Sequence, residues 1–389
     1  MTAWPALLML IAAAAPPVEV ATLNGEQHVG TLERLSAEEV VLKTPTGSTR
    51  LAAAELLAIR LPGAAAIAAP TESLFEVRLV DATLLRVSAY TSTTTEARVT
   101  HPVLGELKLP LTAIQSVRFA PPEPKVDSAW KQLRTSTSQK DQIAIRKNDV
   151  LDHLDGVIGS LDEATIKFQL DGEDIPVKRE RVFGIVYSKR DAVAGKIAAT
   201  VDLTSGDRLA AKTVAWDGDA WKIKLVSGTE VSVPTTSAQL VDYTLGKITY
   251  LSDMKPRDVS YTPFFETNFV WEYRRDRGMD GQPISFGTKT YAKGLSLHSV
   301  TVLKYRIGGD YRRFQTIIGI NEKFRGNVDV VIKGDGRVLF KGAARAGQAP
   351  QPLDLDVTGV VELEITVGYG EDELDIGDWL HLADAKVVK

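Results

Sequence analysis

Trp379 stands directly beside Asp378, and the two residue types together suit a carbohydrate. An indole face accepts the C–H surface of a pyranose ring, and a carboxylate accepts hydrogen bonds from its hydroxyls. The same pair has an architectural use, with the indole filling a core and the carboxylate tying down a loop. His298, inside Tyr291-Ala292-Lys293-Gly294-Leu295-Ser296-Leu297-His298-Ser299, could donate to a sugar hydroxyl or orient a loop that does so. Architecturally it would cap a turn and sit buried. Trp271, Tyr291 and Tyr311 carry the same two uses. The segment that begins at Glu371 is acidic, with Asp372, Glu373, Asp375 and Asp378 following closely. Several hard oxygens in one loop could hold a structural calcium, with Asp375 and Asp378 as its candidate ligands. The spacing matches no EF-hand loop, and a solvated acidic turn is the plainer account.

The elements that must position these residues are strands. Val302 to Ile307, Phe314 to Ile320, Asn327 to Lys333, Val338 to Phe340, Leu353 to Val357 and Val361 to Val367 alternate or run apolar over short lengths, with Gly308-Gly309-Asp310 and Gly334-Asp335-Gly336 as turns. No stretch from Tyr250 to Lys389 has a helical period. An antiparallel sandwich or jelly roll is the expected architecture.

These residues carry a family resemblance. Trp271-Glu272-Tyr273-Arg274-Arg275-Asp276-Arg277, the Tyr291 to Ser299 run, Tyr311-Arg312-Arg313-Phe314, Ile318-Gly319-Ile320-Asn321, Gly334-Asp335-Gly336 and Asp375-Ile376-Gly377-Asp378-Trp379 resemble, in order, the NPCBM carbohydrate-binding-module family. The resemblance covers 250–389 and implies a galactose-binding-domain-like jelly roll whose sugar contacts would come from His298, Asn321, Asp378 and Trp379. Two departures stand out: the family usually has Asp where Asn321 stands, and His-Ala where this chain has Ile376-Gly377.

The rest of the chain reads as β-rich as well. Its 389 residues allow several small domains, and a hydrophobic fraction of 44% without low-complexity tracts marks a folded chain. A net charge of -4 argues against a nucleic-acid partner held by a phosphate-neutralising surface. With no cysteine, neither a disulfide framework nor a thiolate metal site can form. Leu7 to Ala15 is apolar, ends in small residues and stops at Pro16-Pro17. Residues 1–17 therefore read as a signal peptide, although the stretch before Leu7 lacks Lys and Arg. The apolar run is too short to span a bilayer, so the expected location is periplasmic, cell-surface or extracellular.

From Val18 to Tyr250 a weak repeat recurs as small β units at 18–62, 74–120, 145–190 and 196–249. Each follows the order strand, turn, strand, Gly-containing turn, strand, polar corner, strand, which resembles SH3-like or Sm-like small barrels in outline. The linker 121–144 opens on Ala120-Pro121-Pro122-Glu123-Pro124 and carries a short helix from Asp127 to Leu133. Units of about 45 residues bury little surface alone. Neighbours are therefore expected to pack in pairs or against the C-terminal module, serving spacing or assembly.

No Gly-x-Ser-x-Gly elbow, His-Glu-x-x-His helix or phosphate-binding glycine loop is present, and nothing resembles a catalytic barrel with paired carboxylates. The expectation is an exported, all-β, non-enzymatic protein whose C-terminal module binds a glycan. The rival is an assembly protein of the cell envelope whose jelly roll holds a protein partner.

Overall fold

The computed structural model describes residues 17–62, 74–136, 138–188, 195–265 and 270–389, so the expected signal peptide lies almost entirely outside the described residues. The chain forms two compact units, meeting between Leu245 and Gly246. Among the described residues there is one α-helix, Pro124–Arg134; the rest of the regular structure is strands and single-turn 3-10 helices.

The N-terminal unit contains four repeats of one plan. In the first, Pro17–Thr22, Gln27–Leu35, Glu39–Thr44 and Gly47–Ala52 run antiparallel, Ala53–Glu55 makes one 3-10 turn, and Leu56–Arg60 returns to pair with the opening strand. Alternating residues point inward: Val18 and Val20 are fully buried while Glu19 is exposed, as a period of two requires. The plan recurs with closing strands Ile114–Arg118, Gly184–Val186 and Ala238–Asp242, each preceded by its own 3-10 turn and each paired to its repeat's opening strand. In the fourth repeat the opening strand is Ala199–Leu203.

A closing strand pairs with the opening strand along one edge and leaves its other edge unpaired, a row of backbone donors and acceptors that must find partners. Here they find each other. The closing strand of the first repeat pairs with that of the fourth, Val241 opposite Ile59, and the second with the third, Val117 opposite Ile185. The second and third repeats are chain neighbours; the first and fourth are not.

Two boundaries differ from those read in the sequence. The third repeat opens with Asp141–Lys147, which begins within the expected linker 121–144 and crosses into the expected unit. Its pattern is hidden because both faces are covered: Ile143 enters the repeat core, while Ala144 packs with Val126, Trp130, Phe183 and Val186 beneath the helix. Ile248–Tyr250 belongs to the C-terminal unit, where Thr249 pairs with Val387.

The C-terminal unit is a β-sandwich. One sheet runs Arg274–Arg275, Gly294–His298, Trp379–Val388, Arg313–Ile320, Gln351–Asp356, with Ile248–Tyr250 also on Trp379–Val388; the other runs Asp258–Tyr261, Thr301–Arg306, Glu362–Val367, Asn327–Gly334, Arg337–Arg345. Leu297, Leu303, Phe314, Val330, Ile365 and Leu382 are among the residues of the core between them. A hairpin, Ile284–Phe286 and Lys289–Tyr291, brings Ile284 and Phe286 against Ala383. Gly319 is needed beneath it, since a Cβ there would sit 2.9 Å from the Phe286 ring.

Candidate functional site

Every residue of Gly294–His298 is buried, and its pairing with the last strand sets His298 opposite Trp379. The chain then turns tightly at Val300, whose φ of 54° lies in the left-handed region, a costly conformation for a β-branched residue. That turn carries Ser299 to the end of the sandwich where Asp378 arrives from the acidic loop.

His298 is only 3% exposed. Trp271 is stacked on its imidazole, with centroids 5.1 Å apart and planes 2° from parallel, and Tyr261 meets it edge-on at 6.0 Å. Burial pushes the imidazole below its ordinary pKa, partly offset by the Ser299 carbonyl and Asp375, so the ring is neutral near pH 7. Ser299 Oγ lies 3.3 Å from Nδ1. His298 therefore supports Trp271 from behind.

Asp378 is fully buried. Its Oδ1 accepts the Asn327 backbone N–H at 2.9 Å, the nearby Ser299 hydroxyl acts to lower its pKa, and Oδ2 is enclosed with no hydrogen-bond partner among the described residues. Desolvation pushes the carboxyl up to about 6, with Asp372 and Asp375 adding to the rise. The carboxylate holds together the loops at 321–327 and 368–378. Glycine makes that closeness possible: a Cβ on Gly326 would stand 2.1 Å from the Gly377 carbonyl oxygen.

Trp379 is half-buried. Its indole meets Phe324 at 4.4 Å and Trp271 at 5.8 Å, so two tryptophans and a phenylalanine form one aromatic group above His298. Phe264 contacts Phe265 and Tyr369 edge-on. Phe265 and Ile376 are each 69% exposed.

Asn321 serves a different contact. It is 5% exposed, donates through Nδ2 to the Ser285 carbonyl at 2.8 Å and hydroxyl at 3.1 Å, and accepts the Lys323 N–H at 3.0 Å. Its amide fastens the hairpin to the sandwich. Asp375 is half-buried and lies within electrostatic reach of His298 and Tyr261. Among the described residues no three His, Cys, Asp or Glu side chains are grouped to hold a metal.

The structure thus brings His298, Asp378 and Trp379 together and ties Asn321 to the hairpin. Sequence reasoning left Trp271 undecided and did not single out Phe324, Tyr369 or Asn327. An aromatic set among polar residues two positions before Gly326 was the available signal for Phe324.

Residues 247–388 match the NPCBM/NEW2 domain model. The C-terminal unit carries an NPCBM domain. A 105-residue stretch of the chain is 29% identical to a Renibacterium salmoninarum protein named "Putative endo-alpha-N-acetylgalactosaminidase", over 26% of this chain and 7% of that protein, so the chain spans a small part of the relative's length. Among solved structures, the chain is similar to a CBM51 module from Clostridium perfringens GH95 in complex with methyl-galactose, at 20% identity and a TM-score of 0.33 over 36% of this chain and 99% of that one. It is also similar to the CBM51-2 and INT domains of Clostridium perfringens ZmpB in complex with GlcNAc, at 22% identity and a TM-score of 0.33 over 46% and 37%. In the NPCBM domain of this chain the aromatic group stands at the end of the sandwich where the Asp378 loop closes.

Proposed function

We propose that the protein is an exported, non-catalytic glycan-binding protein whose NPCBM domain receives a sugar on the Trp271, Phe324 and Trp379 group, while the repeats serve spacing or assembly. The observation that carries this reading is the partly exposed aromatic group, held from behind by buried His298. Indole faces offer a pyranose an apolar platform, and the loop backbones around Asp378 offer polar groups at its rim. Asp378 acts from beneath by fixing the loops. The name of the curated relative makes N-acetylgalactosaminyl glycans the first to screen, with galactosides beside them.

The full chain is applied to a glycan array with and without calcium, followed by titration of the best ligand. Binding of one glycan class, lost in Trp379→Ala with the unfolding temperature of the domain retained, supports the reading. A calcium requirement that Asp375→Asn removes would assign the ion to the Asp375 and Asp378 loop. Silence across the array from a folded protein would transfer the aromatic group to a protein partner of the envelope.

A further inference from the structure

The second and fourth repeats meet along a cleft of about 450 Å³, lined by Arg78, Leu84, Asp202, Gly206, Arg208 and Gln239 among others. Arg78 belongs both to this cleft and to a group of charged side chains on the outer face of the second repeat. In Phe75–Leu79, Val77 and Leu79 are buried, so Glu76 and Arg78 share the opposite face. Register sets Arg118 of the closing strand opposite Glu76. Arg78 Nε donates to Glu76 Oε1 at 2.7 Å, Arg118 Nη2 to Oε2 at 3.1 Å, and Arg118 Nη1 reaches Asp127 Oδ1 at 3.3 Å.

A third guanidinium completes the group. Arg134, in the last turn of the helix, has its pKa lowered by desolvation first and then by the charges of Arg78 and Arg118, with Glu76 offsetting part of the effect. Three guanidinium groups thus share two carboxylates. Arg118 is only 8% exposed, and its Nε, like that of Arg134, is buried without an acceptor among the described residues. Concentrating like charges in a partly dry corner is costly unless an anion completes it. By contrast, Arg208 is already satisfied by Asp202, through contacts of 2.6 and 2.8 Å.

We propose that this corner is an oxyanion site, in which Arg78, backed by Arg118 and Arg134, takes the carboxylate, sulfate or phosphate group of a ligand entering from the cleft. The planar guanidinium fork suits any of these groups. The site lies in the repeats and does not depend on the sugar reading of the C-terminal domain.

The full chain is tested by thermal unfolding and calorimetric titration with inorganic sulfate, inorganic phosphate and glucuronate, each against sodium chloride at matched ionic strength. At least one should raise the unfolding midpoint saturably beyond chloride. Arg134→Gln should raise the half-saturating concentration about tenfold or more, the factor carried by one charge-assisted hydrogen bond, and Arg50→Gln, at an exposed position of the first repeat, should leave it unchanged. A response confined to glucuronate assigns a carboxylate ligand; one confined to sulfate and phosphate assigns a tetrahedral group. Should Arg134→Gln fail to fold, Arg134→Lys keeps the charge without the fork and should still raise the concentration. Equal responses to all salts and chloride, or half-saturation unmoved in the folded Arg134 variants, would overturn the proposal.

Discussion

Trp271 lies flat against His298, with ring planes 2° from parallel, and the indole thereby covers an imidazole that is 3% exposed. Removing the indole opens His298 to water. In Trp271→Ala the His298 pKa should climb toward the ordinary imidazole value, since burial is the leading cause of its depression. Titration of its ring protons by NMR reads this directly. Affinity for the array-selected glycan should fall at least about tenfold, as expected when a stacking face worth on the order of 1 kcal/mol is lost together with its buried area.

Ionisation of Asp378 costs stability at neutral pH. Its folded pKa of about 6 stands above the ordinary 3.8, so the folded state binds the proton more tightly. The stabilisation from protonation is fully present below the ordinary value and is lost as pH rises through about 6. Asp378→Asn removes this dependence. Its unfolding temperature should exceed that of the parent at pH 8, with the gap closing toward pH 4; a gap that widens on acidification would contradict the account.

His381 acts in the opposite direction. It is 2% exposed, with Ser296 Oγ 2.7 Å from its Nδ1, and burial pushes it from 6.5 down to about 4. The unfolded chain therefore binds the proton first. Stability is full above about 6.5 and drains away as pH falls through about 4. Calorimetry of Asp378→Asn between pH 7.5 and 4.5 should show that loss uncompensated, whereas the double variant Asp378→Asn, His381→Gln should have a flatter profile.

In the repeats, His101 and Asp207 form a fully buried pair joining the second and fourth, with Nε2 3.1 Å from Oδ2. His101 Nδ1 accepts the Val103 and Leu104 N–H groups, each at 3.0 Å, which leaves the proton on Nε2 facing the carboxylate. Asp207 also accepts the Arg86 N–H at 2.5 Å and the Ser205 hydroxyl. His101→Ala should destabilise the chain by about 2 kcal/mol or more, because the buried Asp207 carboxylate loses the imidazole packed against it and a cavity is left in its place. A double-mutant cycle with Asp207→Asn in urea should return a coupling of about 1–3 kcal/mol; additivity would show that the two side chains act independently.

Much of this was legible in particular residues. Alternation in Asn327 to Lys333, the Gly334-Asp335-Gly336 turn and the ordered motifs of the C-terminal third announce an antiparallel sandwich, because a strand with one buried face must alternate. Asp141–Lys147 escaped notice because a helix covers its second face and erases the period. Asn321 looked like a sugar contact and instead clamps Ser285, a partner 36 positions away that no local spacing reveals.

The sequence by itself determined the class of fold, the recurrence of a small β plan and the presence of an NPCBM domain, all of which rest on local periodicity, turn chemistry and ordered motifs. Only the tertiary structure decided which closing strands join, which aromatic rings stay partly open and that Asp378 is buried. Closing strands present similar backbone edges, so their choice of partner depends on the whole assembly. The exposure of a ring or a carboxylate depends on what distant segments lay over it, as Trp271 does over His298.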